Sequence, residues 1–178
     1  MLGLNKKEVI LSAHDDGWAN QYQITKTEIE DILGDNISDI YHIGSTAIKG
    51  IVAKPVLDIA VTIKSVEQLN IAGMESAGYI YGHNMFVPEE HTFFRYMDEY
   101  RNIGTHHIHC YLEDNDNLKA TILFCEYLNT HPEIARQYND LKLKLASDYF
   151  SDRVSYTKGK TDFINKIVSI AKEGLRTL

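Results

Sequence analysis

Two short segments of the sequence hold the residue types that could do chemistry. In the first, a Gly44–Ser45 pair is followed by a lone acidic residue, Asp58, among apolar neighbours. In the second, His107 and His109 lie two residues apart. Carboxylate and imidazole groups bind divalent metal ions, and a Gly-Ser turn can offer backbone N–H groups and a hydroxyl to a phosphate. The segments therefore predict a metal site, an anion site, or both.

The segment around Asp58 has the pattern of a β-strand. Residues 55–63 are rich in Val and Ile, and strand side chains point alternately to the two faces of a sheet. One predicted face is large and apolar and should carry packed helices; it consists of Leu57, Ile59, Val61 and Ile63. Asp58 falls on the other face with Ala60, and the smaller, more polar residues there predict a cleft.

The same alternation applies to residues 104–112. His107 and His109 fall on the more polar face of this segment. If both strands belong to one sheet, the two imidazoles share the cleft face with Asp58. Arg95, in the preceding predicted strand, is an additional candidate for the site.

Residues around the Gly-Ser turn complete the candidate set. Gly44, Ser45 and Thr46 could bind phosphate, and Lys54 would add a positive charge nearby. His42 comes just before the turn and is an additional candidate. Each feature also has a purely structural interpretation. The turn can cap a helix, the acidic residue can mark a strand start that meets water, and the histidines can be solvated or hydrogen-bonded.

Composition excludes some classes of function. The chain has 178 residues, enough for one domain with its own core, and a formal net charge of −7, which argues against non-specific nucleic-acid binding as its main task. Cys110 and Cys125 are the only cysteines and lack metal-type spacing, which is typical of a reduced setting. We find no signal-peptide pattern and no apolar run of about 18 residues. We therefore expect a cytoplasmic protein that does not cross a membrane.

Hydrophobic periodicity predicts the order of the elements. It indicates a helix over residues 15–34, a helix over 65–78 capped by Ser65, a loop over 84–91 and an antiparallel strand pair over 92–113. From residue 117 onwards the pattern is helical, and a proline marks one helix start at position 132.

This order is typical of an α+β fold. We expect a single domain over residues 1–178, with a helix-plus-sheet core over 1–115 and C-terminal helices over 116–178. The predicted sheet is mixed and carries helices on one face, and the C-terminal helical segment follows it.

Several of these segments resemble one known family. HIGSTAIKGIVAKPVLDIAV is similar to the HIGSTS-PG-AAKPIIDI segment of the GrpB family. HDDGWANQY resembles the N-terminal Trp motif of that family, and RNIGTHHIHCY resembles its HLHV strand. FCEYLNTHPEIARQYNDLKLKLA and YTKGKTDFI resemble its C-terminal helices. The resemblance covers nearly the whole chain.

The resemblance implies a nucleotidyltransferase-like fold. In that superfamily a Gly-Ser turn holds the triphosphate, and an Asp-x-Asp or Asp-x-Glu pair on the next strand holds magnesium. The turn and Asp58 match this pattern, but Ala60 stands where the second carboxylate is expected. Because magnesium prefers carboxylate oxygens and water, a single Asp with His107 and His109 is better suited to zinc, manganese or iron.

The sequence leaves three functions open. The first is a divergent nucleotidyltransferase that transfers or binds a nucleotide with Mg, Mn or Zn, with Asp58 as metal ligand or base. The second is a non-catalytic module that binds a nucleotide, a phosphorylated small molecule, another anion or a partner protein after loss of the second carboxylate. The third is a metal-dependent hydrolase that uses Asp58, His107 and His109.

Overall fold

The structure is a computed structural model that describes residues 2–3, 8–82, 91–98 and 103–176. The loop predicted over 84–91 lies almost wholly outside the described residues. In chain order the helices and strands are α1 (Gly17–Leu33), β1 (Ile37–Ile43), β2 (Leu57–Ile63), α2 (Ile71–Ser76), β3 (Tyr79–Gly82), β4 (His91–Asp98), β5 (Ile103–Leu112), α3 (Asp116–Thr130), α4 (Pro132–Asp148), α5 (Arg153–Lys158) and α6 (Thr161–Arg176). Short 3-10 turns span Gly34–Asn36 and Ser45–Ala47.

The strands form one mixed sheet in the order β1-β2-β5-β4-β3. β2 and β5 pair in parallel, whereas the other neighbours are antiparallel. The parallel pair lies inside the sheet, so each of its strands has a hydrogen-bonded neighbour on both sides. This arrangement places the acidic strand directly beside the histidine strand.

One face of the sheet carries the main hydrophobic core. The face of β2 predicted to be apolar is fully buried, and its residues Leu57, Ile59, Val61 and Ile63 are each 0% exposed. They pack with side chains of α1, such as Trp18 and Ile29, and with Met74 of α2. Burial of each such side chain stabilises the fold by roughly 1.5–3 kcal/mol.

The C-terminal helices lie partly over the other face. Leu118 of α3 packs with Ile43, Ala60 and Tyr111, which come from β1, β2 and β5. A separate cluster joins α3, α4 and α6 to the segment after the Gly-Ser turn; it includes Ile48, Ile51, Phe124, Leu128, Tyr138 and Ile167. The molecule is therefore an α+β protein with a mixed sheet and packed helices, and its C-terminal segment closes over the cleft face.

The helix predicted over 65–78 is shorter than the sequence pattern indicates. α2 begins only at Ile71, because the side chain of Asn70 caps it by accepting a hydrogen bond from the Gly73 N–H at 2.9 Å. Ser65 instead donates to the Glu67 carboxylate at 2.7 Å within a preceding turn. Among the described residues, no helix has the length and apolar character needed to cross a membrane.

Candidate metal and anion cleft

The pairing of β2 with β5 brings the predicted metal ligands together. Asp58 is in register with His107, and Ala60 is in register with His109. One ligand atom from each of Asp58, His107 and His109 can be chosen so that all lie within 4.8 Å of one another. Facing positions of paired strands share a face, which is why the alternation predicted from the sequence leads to this cluster.

The carboxylate is held in its ionised form by its neighbours. His107 Nδ1 lies 2.9 Å from Asp58 Oδ1, and each of these two side chains is about one third exposed, 31% and 33%. Burial favours the neutral acid, but the hydrogen bond and charge of His107, with His109 and Lys54, outweigh it and lower the pKa of Asp58 to about 2. An ionised carboxylate beside two imidazoles is a donor set suited to a divalent cation.

The Gly-Ser turn packs directly against this carboxylate. Gly44 has a φ of 73°, in the left-handed region, and a Cβ placed on it would lie 2.5 Å from Asp58 Oδ2. Only glycine fits both conditions without strain. Ser45 then begins the 3-10 turn, and its hydroxyl interacts with the buried Tyr138, whose pKa burial raises.

A cleft of about 470 Å³ opens between this turn, the ends of β2 and β5, and helices α3, α5 and α6. Its polar end is lined by Gly44, Ser45, Lys54, Asp58, His107 and Lys160. Its other end lies between α3 and α6 and is largely apolar, with Phe124 and Ile164 among its lining side chains. Within the described lining, Asp58 is the single carboxylate.

Two lysines and a tyrosine form another part of the cleft lining. Lys54 Nζ lies 5.7 Å and Lys160 Nζ 4.7 Å from the centroid of the Tyr156 ring. Burial lowers the pKa of both lysines, that of Lys160 to about 8, and the charge of Lys54 contributes to the shift of Lys160. Sequence reasoning found Lys54 but missed Lys160 and Tyr156. The lysine pair in YTKGKTDFI was the available signal.

Two predicted site residues, His42 and Thr46, lie outside the cleft. His42 is in register with Ile59, so it projects from the core face of the sheet, away from Asp58. Its ring stacks on Tyr22 with centroids 4.9 Å apart, its Nε2 lies 3.0 Å from Thr46 Oγ1, and burial lowers its pKa to about 4. The Thr46 hydroxyl is buried in this contact, and neither side chain lines the cleft.

Arg95 and Ala60 lie on the same face of the sheet as Asp58, but neither lines the cleft. Arg95 of β4 is in register with His107 and therefore shares its face, but it does not line the cleft. Ala60 is 0% exposed beneath Leu118 of α3. The position of the expected second carboxylate is thus covered by a helix, and His109 on the neighbouring strand stands beside it.

These features define a class of α+β proteins with a mixed sheet and a cleft above a parallel strand pair. The family model described as GrpB protein matches residues 8–169, and the chain belongs to the GrpB family. The Glutamate-rich protein GrpB of Alkalihalophilus pseudofirmus is 37% identical over 95% of this chain and 99% of its own length.

Two further relatives support the family and the fold. UPF0157 protein YqkA of Bacillus subtilis is 31% identical over 94% of this chain, which spans 48% of that protein. The crystal structure of conserved protein GrpB from Enterococcus faecalis superposes with a TM-score of 0.84 at 28% identity, covering 93% of this chain and 99% of that one.

Proposed function

We propose that the protein binds a divalent metal ion through Asp58, His107 and His109 and a nucleotide in the adjoining cleft, as a divergent nucleotidyltransferase-like enzyme. The observation that carries the proposal is the cluster of these three ligand groups, two of which, Asp58 and His107, line a cleft that also contains Lys54 and Lys160. A metal site and a phosphate site in one cleft match the chemistry of phosphoryl and nucleotidyl transfer.

The donor set favours particular metals. One carboxylate and two imidazoles are better suited to manganese, zinc or iron than to magnesium, which prefers oxygen ligands. Bound there, such an ion would act as a Lewis acid on a phosphate oxygen. Asp58 serves as a metal ligand rather than as the base, because a carboxylate with a pKa of about 2 is a weak proton acceptor.

The remaining polar residues are placed to orient the phosphates. Gly44 and Ser45 line the cleft together with Asp58, and Lys54 supplies positive charge in the same lining. Residues of α3, α5 and α6 form much of the rest of the lining. These residues would bind and align a phosphate chain relative to the metal.

A non-catalytic binding module is the second candidate. Ala60 stands where the second carboxylate of a magnesium site is expected, and it is buried in a cluster with Leu118. A single-metal site of this kind also suits a metal-dependent hydrolase. Turnover measurements separate these alternatives once binding is established.

Metal binding is tested by titrating the purified protein with Mn²⁺ and Zn²⁺ by calorimetry and, for Mn²⁺, by electron paramagnetic resonance. We expect one ion per chain, and a loss of affinity of at least about tenfold in Asp58→Asn and in His109→Gln. Asp39→Asn, an exposed acid on the neighbouring strand β1, is the matched control. Unchanged affinity in Asp58→Asn would overturn the metal assignment.

Nucleotide binding is tested with ATP, GTP, CTP and UTP, each with and without Mn²⁺. We expect at least one nucleotide to bind more tightly with the metal, and pyrophosphate to be released when an acceptor hydroxyl is present. Nucleotide binding without turnover would favour the binding module, and release of inorganic phosphate would favour the hydrolase. If no nucleotide binds the wild-type protein, the nucleotide part of the proposal is wrong.

A further inference from the structure

The corner between α5 and α6 is built to hold a lysine against the cleft. The N–H of Gly159 donates to the Ser155 carbonyl at 2.9 Å, and the N–H of Lys160 donates to the Thr157 carbonyl at 3.3 Å. The Lys160 carbonyl then accepts from Ile164 at 3.0 Å at the start of α6. The backbone of Lys160 is therefore fixed on both sides, and its side chain reaches the cleft.

Tyr156 holds this lysine close to a second one. The tyrosine is 1% exposed, and its ring lies near the ammonium groups of both Lys54 and Lys160. An ammonium near an aromatic ring is stabilised by the ring quadrupole, so one buried ring can hold two like charges on the same wall. The two lysines come from distant parts of the chain and meet only in the folded structure.

The two charges are not neutralised within the described part of the chain. No carboxylate there forms an ion pair within 4.0 Å of either ammonium group, although the charge of Asp58 acts on both. Arg153 adds further positive potential near Lys54. Holding two ammonium groups together without a counterion is unfavourable, and a bound anion would relieve the repulsion.

We propose that Lys54 and Lys160 form a phosphate subsite separate from the metal ligands, so that the cleft takes ligands with at least two linked phosphates. This inference rests on the proposed function for the position of the metal-bound phosphate, but the subsite itself consists of other residues. The ligand class is a nucleoside diphosphate or triphosphate, and a nucleoside monophosphate is a poor ligand.

Charge complementarity gives the reason for two phosphates. A phosphate monoester carries roughly −1.5 to −2 charges near pH 7. A divalent cation beside Asp58, with two lysines in the same cleft, presents more positive charge than one such group can neutralise. A pyrophosphate unit can contact the metal with one phosphate and the lysine pair with the other.

The test uses wild-type protein with and without Mn²⁺, with inorganic phosphate and pyrophosphate as probes, measured by calorimetry at constant ionic strength. With Mn²⁺ bound, we expect pyrophosphate to bind at least about tenfold more tightly than phosphate. Lys160→Gln should lose at least about tenfold in pyrophosphate affinity, whereas Lys160→Arg should retain most of it. Lys158→Gln, an exposed lysine in the same corner, is the matched control and should bind as wild type.

A second set of titrations compares the affinities for AMP, ADP and ATP with that for pyrophosphate. This comparison distinguishes a nucleotide ligand from free polyphosphate. Equal affinities for phosphate and pyrophosphate with Mn²⁺ bound, or equal pyrophosphate affinities in Lys160→Gln and Lys158→Gln, would overturn the subsite. Thermal unfolding and Mn²⁺ affinity of Lys160→Gln show that the variant is folded with its metal site intact. Pyrophosphate binding in a protein that binds no Mn²⁺ would instead support the subsite and refute the metal assignment.

Discussion

Gly44 determines how closely the backbone approaches the Asp58 carboxylate. Two conditions require glycine at this position: the positive φ and the close contact with Asp58. Another glycine, Gly50, meets only the first condition. Gly50 has nearly the same φ, 74° against 73°, but a Cβ added to it would meet no described heavy atom within 4 Å beyond its chain neighbours. The two positions therefore form a matched pair for substitution.

We predict that Gly50→Ala loses roughly 1–2 kcal/mol of unfolding free energy, because alanine is strained at a positive φ. Gly44→Ala should lose more, because its ψ of −170° lies in a region that is essentially confined to glycine and its Cβ would also meet Asp58. Only Gly44→Ala should also displace the Asp58 carboxylate, and its Mn²⁺ affinity should fall by at least about tenfold. Denaturant unfolding and Mn²⁺ titration measure the two effects. Equal Mn²⁺ affinity in both variants would show that the turn does not position the carboxylate.

Strand alternation predicted that Asp58, His107 and His109 share a face if their strands belong to one sheet, and the structure supplies the pairing of β2 with β5. The same rule, applied to β1, places His42 beside Ile59 on the core face, but this placement needs the register of β1 against β2, which the sequence does not provide. The lysine pair in YTKGKTDFI marks Lys160 as a candidate, but its place in the cleft could not be predicted, because the direction of its side chain depends on how α5 and α6 pack in three dimensions. Residues on helix corners have no periodic pattern that reveals their partners.

At the scale of elements, the packing of α3 restricts which side chains position 60 can accommodate. Leu118 lies over Ala60 and closes the part of the β2 face that continues beyond Asp58. The sequence showed that a carboxylate is missing there, but not that a helix fills the space. Long periodic elements such as α1 and the buried strand β2 were predicted well, because burial on one face dominates their composition.

We predict that Ala60→Asp lowers the unfolding free energy by at least about 2 kcal/mol, because it buries a carboxylate beneath an apolar side chain. In a Leu118→Ala background the same substitution should cost less, because the added cavity admits water and the two changes are coupled. Ala60→Asn, which has the same size without the charge, is the control. Additive effects of the two substitutions in urea unfolding would contradict the packing of α3 on this face.

At the scale of the whole molecule, charge is unevenly distributed. The protein carries a net charge of −7, yet the wall formed by Lys54 and Lys160 is cationic and partly shielded from solvent. Outside the cleft the excess of acidic residues repels anions, whereas inside it two ammonium groups attract them. Anion binding should therefore respond strongly to the protonation of these lysines.

We predict that pyrophosphate affinity falls as the pH rises through about 8, because burial lowers the pKa of Lys160 to about 8 and its neutral form loses the attraction. Near this pH, Asp58 stays ionised, and Tyr156 stays neutral because burial raises its pKa to about 12. Lys54 and Arg153 supply the remaining positive charge. Calorimetry from about pH 6.5 to about pH 9.5, on both sides of the pKa of Lys160, measures how pyrophosphate affinity depends on pH. Lys160→Gln should give a flatter profile, and parallel profiles would contradict the assignment.

The position of β5 also links the site to the way the chain folds. The strand lies between β2 and β4, although 39 residues separate the end of β2 at residue 63 from its start at residue 103. A growing chain that has not yet produced β5 has neither the central parallel pairing nor the two histidines. Because parallel, non-local pairing is slow to form, closure of the sheet and assembly of the metal ligands should be a single late event in folding.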